Sequence, residues 1–174
     1  QQMGVHFNAR NGNRLPLAVS GPPSLMPINY KCPIPSAQVK SAILLAGLNA
    51  PGKTTVTETL KTRNHTELML SKFGANLEIK KLSDGSHKTT LSGQNELFAQ
   101  QISVPGDISS AAFILVAATI VPNSRVVLKN IGLNPNRTGL LSSLKEMGAA
   151  IKIENQRTVA GEKIGEITIE SRSL

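Results

Sequence analysis

Four short polar clusters carry residue types that could hold an anion: Ser36-Ala37-Gln38, Arg63-Asn64-His65, Asp107-Ile108-Ser109-Ser110 and Asn136-Arg137-Thr138. Each opens a segment whose pattern predicts a helix. The first N–H groups of a helix have no partner within it, and the helix dipole adds partial positive charge there. Such an end can therefore seat a phosphate or carboxylate. A Ser hydroxyl and a Gln amide can bond sugar hydroxyls or a carboxylate. An Arg at a neighbouring helix start can grip phosphate through its planar fork. The same residues also serve as plain caps, and Ser36, Asn64 and Asp107 are all good ones. For Asp107 the cap reading is preferred, because a carboxylate repels anions. For Gln38 and Arg63 the spacing alone leaves both readings open.

Other chemistries find little support. No two carboxylates stand at acid–base spacing, and His6, His65 and His87 are isolated from one another. Pro51-Gly52-Lys53-Thr54-Thr55 suggests a phosphate loop but lacks the upstream Gly and follows a helical segment, so it reads as a helix-to-strand turn. No Gly-x-Gly-x-x-Gly opens a helix, which argues against a doubly wound dinucleotide fold. The single cysteine, Cys32, rules out a disulfide within the chain and argues against a zinc cluster. It sits in an apolar extended stretch and reads as a packed group rather than a nucleophile. Its solitary state fits a cytoplasmic location.

Composition narrows the partners. The chain has 174 residues and a net charge of +8. Nucleic acid or small anionic substrates would both suit that sign. The positive residues are scattered, with Lys80-Lys81 the densest run, and stacking platforms are lacking because aromatics are only 3%. Small anions are the better match, and no nucleic-acid partner is expected. With no Trp, the core is expected to be Ile, Leu, Val and Ala. No apolar run reaches the length of a membrane span. Gln1-Gln2 and Ser171-Arg172-Ser173-Leu174 both read as cut ends.

The elements that position the clusters recur. Met3-Gly4-Val5 reappears as Phe73-Gly74-Ala75 and as Met147-Gly148-Ala149, each reading as a helix end, a stop glycine and a strand. Ser36 to Gly47 and Asp107 to Ala118 match at an offset of 71 residues. The first unit reads as an extended piece at 29–34, a helix from Ser36 to Leu48, a strand at 54–59, a helix from Asn64 to Phe73, and strands at 76–81 and 88–91. The helix from Ser36 is apolar nearly all round and is expected to be buried on all sides. Asn64 and Glu67 match a capping box, with Leu68, Met69, Leu70 and Phe73 as the inner face. The second unit repeats the order: a strand at 101–104, a helix at 108–120, a strand at 125–130, a helix at 137–147, and strands at 150–154 and 166–171. Before the first unit, Val5 to Phe7 and Leu15 to Val19 form a hairpin turning at Arg10-Asn11-Gly12-Asn13. The fold class is mixed α/β, built from repeated βαβαββ units.

Pro35-Ser36-Ala37-Gln38-Val39-Lys40-Ser41-Ala42 and Leu45-Ala46-Gly47-Leu48 resemble segments of the EPSP synthase family. So do Thr62-Arg63-Asn64-His65-Thr66-Glu67, Pro105-Gly106-Asp107 through Phe113, and Asn134 to Gly139. Together they run nearly end to end. The bacterial forms in question have Asp where this chain has Asn64, a change that keeps the cap. The resemblance implies two similar lobes, each of three βαβαββ units, with an inverse-barrel-like arrangement. It implies that residues 1–103 belong to the shikimate 3-phosphate-binding lobe and 104–174 form the first repeat of the second lobe. The implied reaction moves the enolpyruvyl group of phosphoenolpyruvate to the 5-hydroxyl of shikimate 3-phosphate, through a tetrahedral intermediate, with no metal or cofactor. It belongs to the shikimate pathway and aromatic amino acid biosynthesis.

Carried over by position, Ser36 resembles the Ser that holds the sugar phosphate, with Ala37 beside it. Gln38 resembles the Gln between the two substrates, and Arg63 the Arg that grips the phosphate. The family's Pro-Gly-Asp-Lys-Ser segment and Asn-Ser-Gly-Thr loop are absent, and Ile108 stands where a Lys would follow Pro105-Gly106-Asp107. Its catalytic Asp, Lys-Glu-x-x-Arg and Asp-His-Arg segments would lie past Leu174. No catalytic residue is therefore assigned here, and the chain alone is expected to lack turnover, while the full-length protein is expected to be a cytoplasmic monomer. Three alternatives remain: the related UDP-N-acetylglucosamine enolpyruvyl transferase, a non-catalytic anion- or RNA-binding module of the same repeat, and a purely structural core.

Overall fold

The computed structural model describes residues 1–11 and 13–171. The chain divides into two compact units, Gln1–Ala99 and Gln100–Leu174. The first opens with a two-stranded hairpin, β1 (His6–Arg10) and β2 (Arg14–Ser20). Gly12, in the middle of the expected turn, lies outside the described residues, as do 172–174.

Next comes β3 (Asn29–Lys31), α1 (Ala37–Gly47), β4 (Lys53–Glu58), α2 (His65–Lys72), β5 (Asn76–Lys81) and β6 (His87–Ser92). The four strands form one sheet in the order β3-β4-β6-β5, with β3 parallel to β4 and the other pairs antiparallel. This is the expected βαβαββ unit. Gly52, at φ +109°, makes the turn from helix to strand that Pro51-Gly52 announces. Between β5 and β6, Asp84 accepts hydrogen bonds from the Ser86 amide at 2.9 Å and hydroxyl at 2.6 Å, and Gly85 supplies a positive φ.

The second unit contains α3 (Ile108–Ile120), β7 (Arg125–Gly132), α4 (Gly139–Glu146), β8 (Ala150–Val159) and β9 (Glu162–Glu170), with sheet order β7-β9-β8. The expected strand at 101–104 does not form. Its place is taken by a single parallel bridge, Gly106 to Ile131, where β3 pairs with β4 in the first unit. Pro105 has no N–H to extend that ladder. α4 starts two residues later than expected, because Asn134 first closes a turn: its side-chain oxygen accepts from the Asn136 amide at 3.0 Å and its carbonyl from the Arg137 amide at 2.8 Å. β8 and β9 are longer than their patterns suggested and meet at a turn through Ala160 and Gly161, both at positive φ.

The three stop glycines are equivalent. Gly4, Gly74 and Gly148 have φ of +86°, +88° and +96°, a region where a side chain is costly.

Each unit has its own core. Cys32, Leu44, Val56, Leu70, Ala75 and Leu91 are buried together in the first. Ile108, Ala111, Leu115, Ala118, Leu141, Leu144, Ile167 and Ile169 are among those buried in the second. These are the aliphatic residues that the aromatic-poor composition required.

The expectation that α1 is buried on all sides is overturned. Only Lys40, Leu44 and Gly47 are buried, and Val39 and Leu45 are 40% and 43% exposed. The helix lays one buried stripe on its sheet. On α2, Leu70 is buried but Met69 is exposed, so Met69 does not belong to the inner face.

Candidate functional site

Ser36 caps α1: its side-chain oxygen accepts from the Val39 amide at 3.3 Å, and its carbonyl from the Lys40 amide at 3.1 Å. The amides of Ala37 and Gln38 precede the first intrahelical bond, as at any helix start, and point out of the N-terminal end. β4 then returns along the sheet and delivers residues 59–64 to the start of α2. Ala37, Gln38 and Ser41 of α1 and Arg63, His65 and Thr66 of that second segment line one cleft of about 420 Å³. Three of the four residues singled out in the sequence thus meet there, and Ser36 adjoins it as the cap. Among the described residues, the Arg63 guanidinium has no hydrogen-bond or ion-pair partner.

A larger groove of about 600 Å³ lies along another side of α1, against the β1–β2 hairpin. Met3, Phe7, Leu17, Tyr30, Val39 and Ile43 line it, so it is apolar and offers an anion little. The smaller cleft, with an Arg and a helix start, has the chemistry. Among the described residues no three His, Cys, Asp or Glu side chains are grouped as metal ligands.

The capping box expected at Asn64 and Glu67 does not form. The Asn64 side chain makes no cap bond, and Glu67 turns inward, 3% exposed. There it meets Lys40, whose Nζ lies 2.7 Å from Glu67 Oε1 and 2.8 Å from Glu58 Oε2. Thr62 Oγ1 donates to the other Glu58 oxygen. Ser41 and Thr66 add a second link between the helices, with their hydroxyls 2.6 Å apart. Periodicity missed this cluster because a lysine in an apolar helix reads as an exposed residue. The one usable signal was Lys40 itself, lying on the buried stripe with Leu44.

The equivalent place in the second unit is arranged differently. Asp107 caps α3, accepting from the Ser109 amide at 3.1 Å and the Ser110 hydroxyl at 3.3 Å. Arg137 donates to Asp107 Oδ1 at 2.9 Å and to the Ser109 hydroxyl. Those backbone bonds, with the nearby guanidinium, hold the Asp107 carboxyl below the usual carboxylate range. The cap reading of Asp107 agrees with this geometry. Cys32 is buried, and desolvation, with Glu58 nearby, pushes its thiol up. That suits a packed group and not a nucleophile.

A family model described as EPSP synthase (3-phosphoshikimate 1-carboxyvinyltransferase) matches residues 1–172. A relative from Rhodospirillum rubrum named 3-phosphoshikimate 1-carboxyvinyltransferase is 51% identical over 171 residues, covering 98% of this chain and 38% of its own. One of the same name from a Chelativorans species is 50% identical over 175 residues, covering 100% of this chain and 39% of its own. Among solved structures, an EPSP synthase from Acinetobacter baumannii is 44% identical, with a TM-score of 0.80 over 97% of this chain and 37% of that one. This chain therefore spans less than two fifths of the length of the curated relatives it matches.

Proposed function

The chain belongs to the EPSP synthase family, and from that premise we propose that its first unit is the shikimate 3-phosphate half-site of an enolpyruvyl transferase. The whole enzyme would join the 5-hydroxyl oxygen of shikimate 3-phosphate to C2 of phosphoenolpyruvate while that hydroxyl gives up its proton and a proton adds to C3. It would then lose inorganic phosphate and the C3 proton from the tetrahedral intermediate. The observation that carries the reading is the convergence of Arg63 with the start of α1 on one cleft.

Each residue has a role that follows from its position. The amides of Ala37 and Gln38, with the Ser36 hydroxyl, would donate to the sugar phosphate, helped by the dipole of the 11-residue α1. Arg63 would close on the same phosphate with two parallel N–H groups. The Gln38 amide both donates and accepts, so it can lie between two anionic substrates. Proton transfer is left to other parts of the family's longer chains, because Lys40, Glu58 and Glu67 are tied to one another. The division into lobes near residue 103 belongs to this same proposal, as do a cytoplasmic location and a monomeric state for the longer protein. The relatives' names favour this reading over the UDP-N-acetylglucosamine enzyme.

Calorimetric titration compares two ligands differing only in the phosphate. Shikimate 3-phosphate is expected to give saturable heat, and shikimate none. Equal binding of both would contradict a phosphate site. With both substrates present, the chain alone is expected to release no inorganic phosphate. Steady release would show that it holds the proton-transfer groups after all.

A further inference from the structure

Among the described residues three charged side chains are buried, Lys40, Glu58 and Glu67, and they form one cluster. A buried ion pair is a poor way to stabilise a fold, since apolar residues of similar volume do as well or better. The second unit supplies the comparison. Four, eight and eleven residues after its cap, α1 buries Lys40, Leu44 and Gly47, and α3 buries Ala111, Leu115 and Ala118. Three and six residues after its cap, α2 buries Glu67 and Leu70, and α4 buries Leu141 and Leu144. The pair Lys40–Glu67 thus occupies the positions of Ala111 and Leu141. Likewise Ser41 and Thr66 occupy those of Ala112 and Leu140. The same helix, strand and helix form with apolar residues at all four places, so the unit does not need polar links there to fold.

What the first unit has in addition is the cleft. Lys40 follows Gln38 by two residues, and Glu67 follows Arg63 by four, about one helical turn. Glu58 ends β4 and receives Thr62, the neighbour of Arg63. Every member of the cluster is therefore one step behind a residue lining the cleft. Glu67 Oε2 makes no hydrogen bond, so Lys40 is what holds that carboxylate in place.

We propose that Lys40 is a positioning residue for the phosphate site. By pairing with Glu58 and Glu67 it fixes the start of α1 at one spacing from the Thr62-Arg63 segment. It also sets one positive charge against the two carboxylates behind a cleft that takes an anion. This rests on the phosphate reading of the cleft.

The test replaces the whole cluster at once with Lys40→Met, Glu58→Gln and Glu67→Leu, leaving no buried charge unpaired. Two readouts are taken on the chain: amide hydrogen exchange without ligand, and the affinity for shikimate 3-phosphate. Expected are faster exchange confined to 36–41 and 62–67, unchanged exchange in β4 and β6, and affinity weaker by about tenfold or more, as for a displaced binding group. Unchanged affinity in the folded variant would overturn the inference and leave the function standing. If the unsubstituted chain binds no shikimate 3-phosphate, the function reading falls. Exchange then decides the positioning claim, with faster exchange at those two segments supporting it and unchanged exchange overturning it. If the triple variant unfolds, Lys40→Arg keeps the charge while changing its reach. A loss of affinity at unchanged melting temperature then supports the inference, and no loss overturns it.

Discussion

Arg137 and Asp107 face each other across 2.9 Å at the point where the second unit repeats the cleft of the first. Arg137 stands at the position of Arg63 and Asp107 at that of Ser36. In the first unit the guanidinium has no acidic partner among the described residues. In the second it is already matched by a carboxylate that the chain provides. One unit is thus open to an anion and its sister is closed by its own side chain.

Asp107→Asn should open the second unit. Asn keeps the cap, since its carbonyl oxygen can still accept from the Ser109 amide. Titrating the variant with inorganic phosphate is expected to shift the amides of Ser109 and the Arg137 side chain, with no such shift in the unsubstituted chain. The same shifts in both would show that the carboxylate does not block the site.

The same carboxylate gives a pH signature. Because the folded Asp107 titrates below its ordinary value of 3.8, its contribution to stability is complete above that value. It is lost as the pH falls below it through the folded value. In Asp107→Asn this part of the acid loss should disappear. Denaturation midpoints followed from pH 6 down through the acid range check it, and superimposable curves would contradict it.

Cys32 offers the opposite sign. Its thiol is pushed above its ordinary value of 9.0, first by desolvation and then by the Glu58 carboxylate, with Lys40 opposing. The thiol leaves stability untouched below that value and lowers it as the pH rises through the folded value. It is only 1% exposed. A thiol reagent at neutral pH should therefore react slowly with the folded chain and rapidly once denaturant is added. Equal rates would place the thiol at the surface.

The stop glycines can be ranked. Gly148→Ala meets open space and suffers only the positive φ, so it should cost about 1 kcal/mol. Gly74→Ala carries the same backbone penalty, and its Cβ would also approach a Phe98 ring carbon to 2.9 Å, so it should cost more. Equilibrium denaturation of the two variants gives the order. A larger loss at Gly148 would contradict it.

Much of this architecture could be read from residue types. Gly74 and Gly148 punctuate the repeat because few other residues tolerate their φ, and Ser36 and Asp107 mark helix starts because their side chains close them. Gln38 and Arg63 stand out as polar residues at helix starts, but their proposed roles come from motif resemblance, since spacing alone leaves cap and anion seat both open. Three features escaped. The outward face of α1, with Val39 exposed, reads as buried because periodicity reports apolarity and not what covers it. Glu67 looked like half of a capping box, since local spacing cannot show that a lysine 27 residues earlier in the chain lies beneath it. The strand expected at 101–104 has β-like residues, but Pro105 and Gly106 reduce its pairing to one bridge.

The most direct measurement is a titration of shikimate 3-phosphate into the chain, followed by amide NMR, with Arg63→Ala alongside. A half-site requires shifts that cluster at Ser36, Ala37, Gln38 and Arg63 and are lost in the variant. A folded sample whose spectrum does not move, or moves equally in Arg63→Ala, would contradict it.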